Sequence, residues 1–276
     1  MWVVKNSGEL EKFDPDKIKK TCINAGASEE VADKVAKEVS KKIYDGIKTK
    51  DILKIILKTL NKETPLVAAR YDLKGAIFRL GPAGYSFERL IGEILKEYGY
   101  ATKVHSLING ECVKHEIDVI AIDTNRKTSM IECKYHNEPG IYSGIKDILY
   151  TYARFLDLVE GHKKGKCEKF DNVWLVCNTR FSQDSIKYGE CSGIKLLGWK
   201  YPADSSLSKL IEMKKLYPIT MLKTLDKDSQ EKMSKAGLIL ALDLTKRSVS
   251  ELNRLTKIAK IKLEKFVEEA KSLVYF

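Results

Sequence analysis

Two carboxylates and a lysine stand on neighbouring stretches of chain that read as strands. Asp118 lies in Glu116-Ile117-Asp118-Val119-Ile120, and fourteen positions later the chain reads Ile131-Glu132-Cys133-Lys134. Alternate side chains of a strand share a face, so Glu132 and Lys134 point together while Cys133 points away. If the two strands pair as a hairpin, Asp118 reaches the same end as Glu132. Two carboxylates can hold Mg²⁺ through oxygen ligands while the ion keeps waters. A lysine beside them can position or help deprotonate an attacking water and stabilise charge developing on phosphorus. These are the requirements of metal-dependent phosphodiester hydrolysis.

Such a triad needs a sheet with helices against it. An amphipathic helix follows Gly84-Tyr85-Ser86, with Phe87, Leu90, Ile91, Ile94, Leu95 and Tyr98 on one stripe, Glu88 on its edge and Gly99 as its stop. Strands are expected over residues 101–108, 113–122 and 128–135, with Asn109-Gly110 as a turn. A long helix follows over 143–160, then a buried strand over 172–177, a helix over 181–189 and a last strand over 194–199. The order α-β-β-β-α-β, then α-β, predicts a mixed sheet flanked by helices, and the chain as a whole an α/β multi-domain protein.

Asp118, Glu132 and Lys134, placed after a helix bearing Phe87-Glu88, resemble the PD-(D/E)xK nuclease superfamily, and most nearly its Mrr-type restriction endonuclease branch. The resemblance covers residues 84–180. It implies Asp118 and Glu132 as ligands of Mg²⁺ or Mn²⁺, Lys134 as catalytic lysine and Glu88 as an accessory acid. Two features depart from the branch. His115-Glu116 replaces a glycine-rich run before the aspartate, and Ser143-Gly144-Ile145-Lys146 offers no glutamine.

Other residues nearby read as structural. Gly161-His162-Lys163-Lys164-Gly165-Lys166-Cys167 has three residues between its glycines where a phosphate loop needs four, and Cys where that loop has Ser or Thr. It is expected to be a basic surface loop. Tyr150, Tyr152 and Arg154 are expected in the core and in salt bridges rather than against DNA, and His136 as a hydrogen-bonded structural residue.

At the N-terminus, residues 2–13 read as a strand, a turn and a return. Asp14 caps a helix with Pro15 at its first position. Ser28 opens a second helix carrying Val31, Val35, Val39 and Ile43 and closing at Gly46; a third starts at Thr49 and a fourth spans 65–80. A turn beside helix N-termini offers N–H groups to an anion, and Lys5 and Lys17 add charge. The order Val4-Lys5-x-x-Gly8, Glu11, Phe13-Asp14, Lys17-Ile18, Thr49-x-x-Ile52, Ala69-x-Tyr71 resembles the ATP-cone domain, a nucleotide-sensing module, over residues 2–80. The resemblance implies ATP or dATP as an allosteric ligand, with Val4, Lys5, Gly8, Glu11, Lys17 and Thr49 at the nucleotide-binding positions. Asn6 stands where the family often has Arg, and Leu53 where some members have His.

Punctuation at Gly81-Pro82 and around Tyr201-Pro202 divides the chain into residues 1–82, 83–205 and 206–276, with net charges of +5, zero and +6 within an overall +11. The basic balance points to a polyanionic partner. The last segment is expected to be helical. Residues 219–252 vaguely resemble a helix-hairpin-helix module with Gly237 as its lone hairpin glycine, which implies backbone contacts to DNA; a helical dimerisation or packing domain is the equal alternative. No apolar run is long enough to span a bilayer, residues 1–13 lack a signal-peptide pattern, and the six cysteines have no zinc-ligand spacing. Reduced thiols in the cytoplasm are expected. Together these readings describe a Mg²⁺-dependent DNA endonuclease, regulated by ATP or dATP and acting as a homo-oligomer. The alternative is a nucleotide-responsive DNA-binding or assembly protein with an inactive nuclease fold.

Overall fold

The computed structural model describes residues 1–81 and 85–275. Pro82 of the expected Gly81-Pro82 boundary, Gly84 before the expected helix, and Phe276 lie outside the described residues. Strands β1 (Trp2–Val4) and β2 (Leu10–Lys12) form the expected hairpin, with Val3 opposite Glu11. Gly8 turns it with φ 85°, a conformation that costs glycine nothing. Helix α1 (Pro15–Asn24) begins where Asp14 accepts from the Asp16 N–H, and α2 (Glu29–Ser40) where Ser28 accepts from the Val31 N–H.

Two expectations are corrected here. Helix α2 ends at Ser40 rather than Gly46, because Ile47 is needed as a strand: β3 (Ile47–Lys48) pairs in parallel with β1, making a three-stranded sheet of the expected hairpin. The expected helix over 65–80 breaks at Asp72 into α4 (Pro65–Tyr71) and α5 (Leu73–Phe78), with α3 (Thr49–Glu63) before them. Asp72 leaves helical geometry and its carboxylate pairs with Arg79 at 2.7 Å. Val3, Cys22, Val35, Val39, Ile56 and Leu60 share the core of this N-terminal unit.

The middle of the chain runs α6 (Tyr85–Glu97), β4 (Ala101–Asn109), β5 (Lys114–Ile122), β6 (Thr128–Lys134), β7 (Tyr142–Ser143), α7 (Ile145–Lys163), β8 (Asn172–Cys177), β9 (Arg180–Phe181), α8 (Gln183–Ser192) and β10 (Lys195–Leu197). Five strands make one mixed sheet in the order β10-β8-β6-β5-β4. β4, β5 and β6 form an antiparallel meander; β8 joins β6 in parallel through the α7 crossover, and β10 joins β8 through α8. Val119, Ala121, Ile131 and Cys133 pack on the α6 side. Ile120, Met130, Leu175 and Cys177 pack on the α7 side with Ile148 and Leu158. This is the alternation that a sheet covered on both faces requires.

The remaining helices are α9 (Leu207–Met213), α10 (Lys227–Lys235), α11 (Ala241–Thr245), α12 (Val249–Thr256) and α13 (Lys260–Tyr275), with a 3₁₀ turn at Ile219–Met221. They enclose no separate core. Ile211, Met233, Leu244, Leu252, Phe266 and Leu273 continue the apolar layer of α5, α6 and the sheet. Among the described residues no helix is long and apolar enough to cross a membrane.

Asp226 caps α10, accepting from the Ser229 N–H at 2.9 Å and pairing with Lys262 of α13 at 2.9 Å. The Ser229 N–H and then Lys262 hold its carboxyl down at about 2, below the ordinary 3.8. A depressed carboxyl contributes stability above its unfolded pKa and loses it as pH falls through the folded value. The stability gap between the wild type and Asp226→Asn, read from denaturant midpoints, is therefore expected to be full at about pH 5 and to close on acidification toward about pH 2. A gap independent of pH would contradict this.

Candidate active site

Pairing between β5 and β6 runs from Ile122–Thr128 to Val119–Ile131 and then stops. Asp118 lies one residue beyond the last pair. There the two strands separate enough for its Oδ2 to accept the Cys133 N–H at 2.7 Å. The alternation of faces also breaks at this residue, since Ile117 and Val119 pack in different cores. The bend brings the Asp118 carboxyl against the start of Glu132-Cys133-Lys134.

Glu132 and Lys134 share the face under α7, as alternation requires. Glu132 is only 4% exposed and meets two cations. Its Oε1 receives the Lys134 ammonium at 2.9 Å and its Oε2 the Arg154 guanidinium from α7. Arg154 also donates to the Glu116 carbonyl of β5, so one side chain fastens α7 to two strands. Burial works against charge on Lys134, but Glu132 outweighs it and holds the ammonium above its ordinary pKa. Lys134 is thus a fixed cation at neutral pH and not a base.

Glu88 comes from α6, and His105 Nδ1 meets its Oε2 at 3.0 Å. Burial, then the charges of Asp118, Glu116 and Glu132, raise Glu88 to about 7. Burial and then Glu132 raise Asp118 to about 6. Glu88, Asp118, Glu132 and Lys134 are thus brought to one end of the sheet. Asp118 and Glu132 are oxygen donors of the kind Mg²⁺ accepts, one or two carboxylates with waters completing the shell, and the crowding of acids there favours a cation. Glu132, however, is already engaged at both oxygens, and among the described residues no group of three or more His, Cys, Asp or Glu is assembled around a common point.

The sequence reading missed three features. His105 adopts φ 51° in the middle of β4, which no local residue pattern announces. Arg154 makes the expected salt bridge, but with Glu132 itself. Tyr150 is not in the core: it is 56% exposed and its ring lies 5.4 Å from Lys134 Nζ and 5.3 Å from Arg154 Cζ. Tyr152 does pack among aromatics, against Phe155 and Tyr188. His136 bonds Ser143 Oγ at 3.0 Å, and buried Asn178 bonds both its N–H and its carbonyl. The Gly161–Cys167 stretch carries Lys164 and Lys166 paired to Glu111 on the surface.

In the N-terminal unit Lys5 and Lys17 both pair with Glu11, Lys5 at 3.3 Å. Val4 pairs with Lys48, so Lys5 and Thr49 leave adjacent strands at the same end, beside the N-terminus of α3. The hairpin, with Gly8 at its turn, therefore brings Lys5, Glu11, Lys17 and Thr49 to one side of the unit.

Removing one partner of a buried ion pair leaves the other charge unpaired, at a cost of about 3 kcal/mol or more. Arg154→Ala is expected to lower stability by about that amount in chemical denaturation. An effect below about 1 kcal/mol, the range of exposed pairs, would mean that Lys134 alone suffices for Glu132.

Comparison with known proteins agrees with part of this picture. An ATP cone domain model matches residues 1–73, and a model described as AF1548-like, C-terminal, matches residues 217–274. An uncharacterized protein of Archaeoglobus fulgidus is 40% identical over 184 residues, covering 67% of this chain and 99% of its own length. A second uncharacterized protein of that organism is 49% identical over 39 residues, 14% of this chain and 83% of its own. The crystal structure of AF1548, a protein of unknown function, superposes with a TM-score of 0.61 at 37% identity over 70% of this chain and 99% of that one. The chain therefore belongs to the AF1548-like family and carries an ATP cone domain at its N-terminus.

Proposed function

We propose that the protein is a metal-dependent DNA endonuclease whose activity answers to ATP or dATP bound by the ATP cone. The observation that carries this reading is the convergence of Asp118, Glu132 and Lys134 where β5 and β6 part, with Glu88 of α6 close enough to feel the charges of Asp118 and Glu132. Asp118 and Glu132 would hold Mg²⁺ or Mn²⁺, and the bound ion would supply a polarised phosphate and an activated water. Lys134, a permanent cation, stabilises negative charge building on the phosphorus and orients the water. Tyr150 stands over Lys134 at the rim, positioned to pack against a substrate sugar or base. The +6 of residues 206–276 attracts the DNA backbone without reading its sequence. In this reading the protein works in the cytoplasm as a homo-oligomer.

The grip of Arg154 on Glu132 favours a second reading, in which the nuclease fold is inactive and the protein is a nucleotide-responsive DNA-binding or assembly protein. One experiment separates the two. Plasmid and branched DNA are incubated with Mg²⁺, with and without ATP or dATP, comparing wild type with Lys134→Ala and Glu132→Ala. Cleavage by the wild type, falling by about 10²-fold or more in the variants, is the expected result, a loss typical of removing one transition-state contact. DNA retention without cleavage would establish the second reading, and unchanged cleavage by Lys134→Ala would overturn the assignment of the site.

A further inference from the structure

A cleft of about 470 Å³ lies between the ATP cone and the sheet domain, within the range of small-ligand pockets. One wall is the cone's hairpin turn, Lys5 to Ser7, with Lys74 of α5. The other is the loop that follows β6, the β9 strand and the segment after β10. The two walls touch closely: a side chain on Gly140 would stand 3.0 Å from the Asn6 carbonyl oxygen, and Gly140 itself has φ 99°. Only glycine meets both conditions without strain.

The charge in this cleft is one-sided. Lys5, Lys74, Arg180 and Lys200 line it, and no aspartate or glutamate does. Lys5 is paired within the cone to Glu9 and Glu11. Lys74, Arg180 and Lys200 have no carboxylate within ion-pair distance among the described residues. Lys74 is half-buried, with its ammonium 5.9 Å from the Trp199 ring and 6.0 Å from that of Phe78. Burial, then the charges of Lys200 and Arg180, push its pKa down. Three like charges gathered at a partly dry cleft oppose folding unless an anion joins them.

We propose that this cleft is an anion site which adjoins the cone's Glu11–Lys17–Thr49 side through Lys5, takes the polyphosphate group of a nucleotide and so bridges the ATP cone to the sheet domain. A polyphosphate offers the several negative charges that cations on both walls call for, where a single phosphate offers fewer. The site does not depend on the nuclease reading. Its loop wall begins at Pro139, five residues after Lys134, so an occupant touches the chain that leaves the candidate active site.

Titration calorimetry and thermal unfolding of the full chain test this, with inorganic triphosphate, ATP and a short DNA duplex as probes. The double variant Arg180→Gln/Lys200→Gln alters exposed side chains and leaves the fold intact. It is expected to bind triphosphate about tenfold more weakly or worse and to lose the triphosphate-induced rise in Tm. Lys127→Gln, an exposed lysine at the turn between β5 and β6, is expected to keep both. Lys74→Met is expected to raise Tm without ligand and to abolish the triphosphate response. Wild-type affinity in the double variant, a full triphosphate response in Lys74→Met, loss of binding in Lys127→Gln, or binding of duplex but not triphosphate at these residues would each overturn the proposal.

Discussion

A carboxylate buried at the centre of the sheet sets the terms for the structure around it. Glu132 lies on β6 between β5 and β8, almost out of contact with water, and an isolated charge there would be prohibitive. Two cations make it tolerable, and each arrives by a different route. Lys134 is two residues along the same strand face. Arg154 comes from α7 and also bonds the Glu116 carbonyl, so helix placement and charge compensation are one requirement. Where α7 sits against the sheet is decided by Glu132 as well as by the apolar contacts of Ile148 and Leu158.

The same neighbourhood contains an irregularity in the ladder. Regular pairing would carry β5 and β6 on past Val119, with Asp118 as an ordinary ladder residue. The ladder stops instead, and the Asp118 carboxyl takes the Cys133 N–H that a backbone carbonyl of β5 would otherwise have accepted. That exchange keeps a buried donor satisfied while bringing a third acid close to Glu132 and Glu88. Acids held together against their mutual repulsion make this end of the sheet a candidate functional site.

The ATP cone has its own core, built from Val3, Cys22, Val39 and Leu60, and meets the rest of the chain through a small apolar seam at Leu66, Ala69 and Leu73 together with polar contacts. Arg70 reaches the Leu273 carbonyl on α13, and the hairpin turn rests on Gly140. The helices after residue 206 behave differently, since they complete the apolar layer over α6 and cannot leave it without exposing Leu90, Ile91 and Ile94. A module with its own core and a small seam to its neighbour shifts more readily when a ligand binds than helices whose core is continuous with the sheet's.

Much of this was legible locally. Strand periodicity located β5, β6 and β8 and put Glu132 and Lys134 on one face, because alternation is a property of any extended chain. Cap residues Asp14 and Ser28 marked helix starts, because their side chains bond N–H groups two or three residues away. The ATP cone was readable from the order of a few residues around Lys5, Gly8 and Thr49. What the sequence could not determine depended on partners far along the chain. The β3 strand exists because β1 has an open edge, and the break at Asp72 because Arg79 meets its carboxylate. The left-handed His105 stands where Glu88 of α6 meets the middle of β4. The Arg154 clamp and the cationic cleft lie in the same class. Side chains separated by 22 residues in one case and by more than a hundred in the other meet only when the sheet is assembled, and charge compensation between them is a tertiary property.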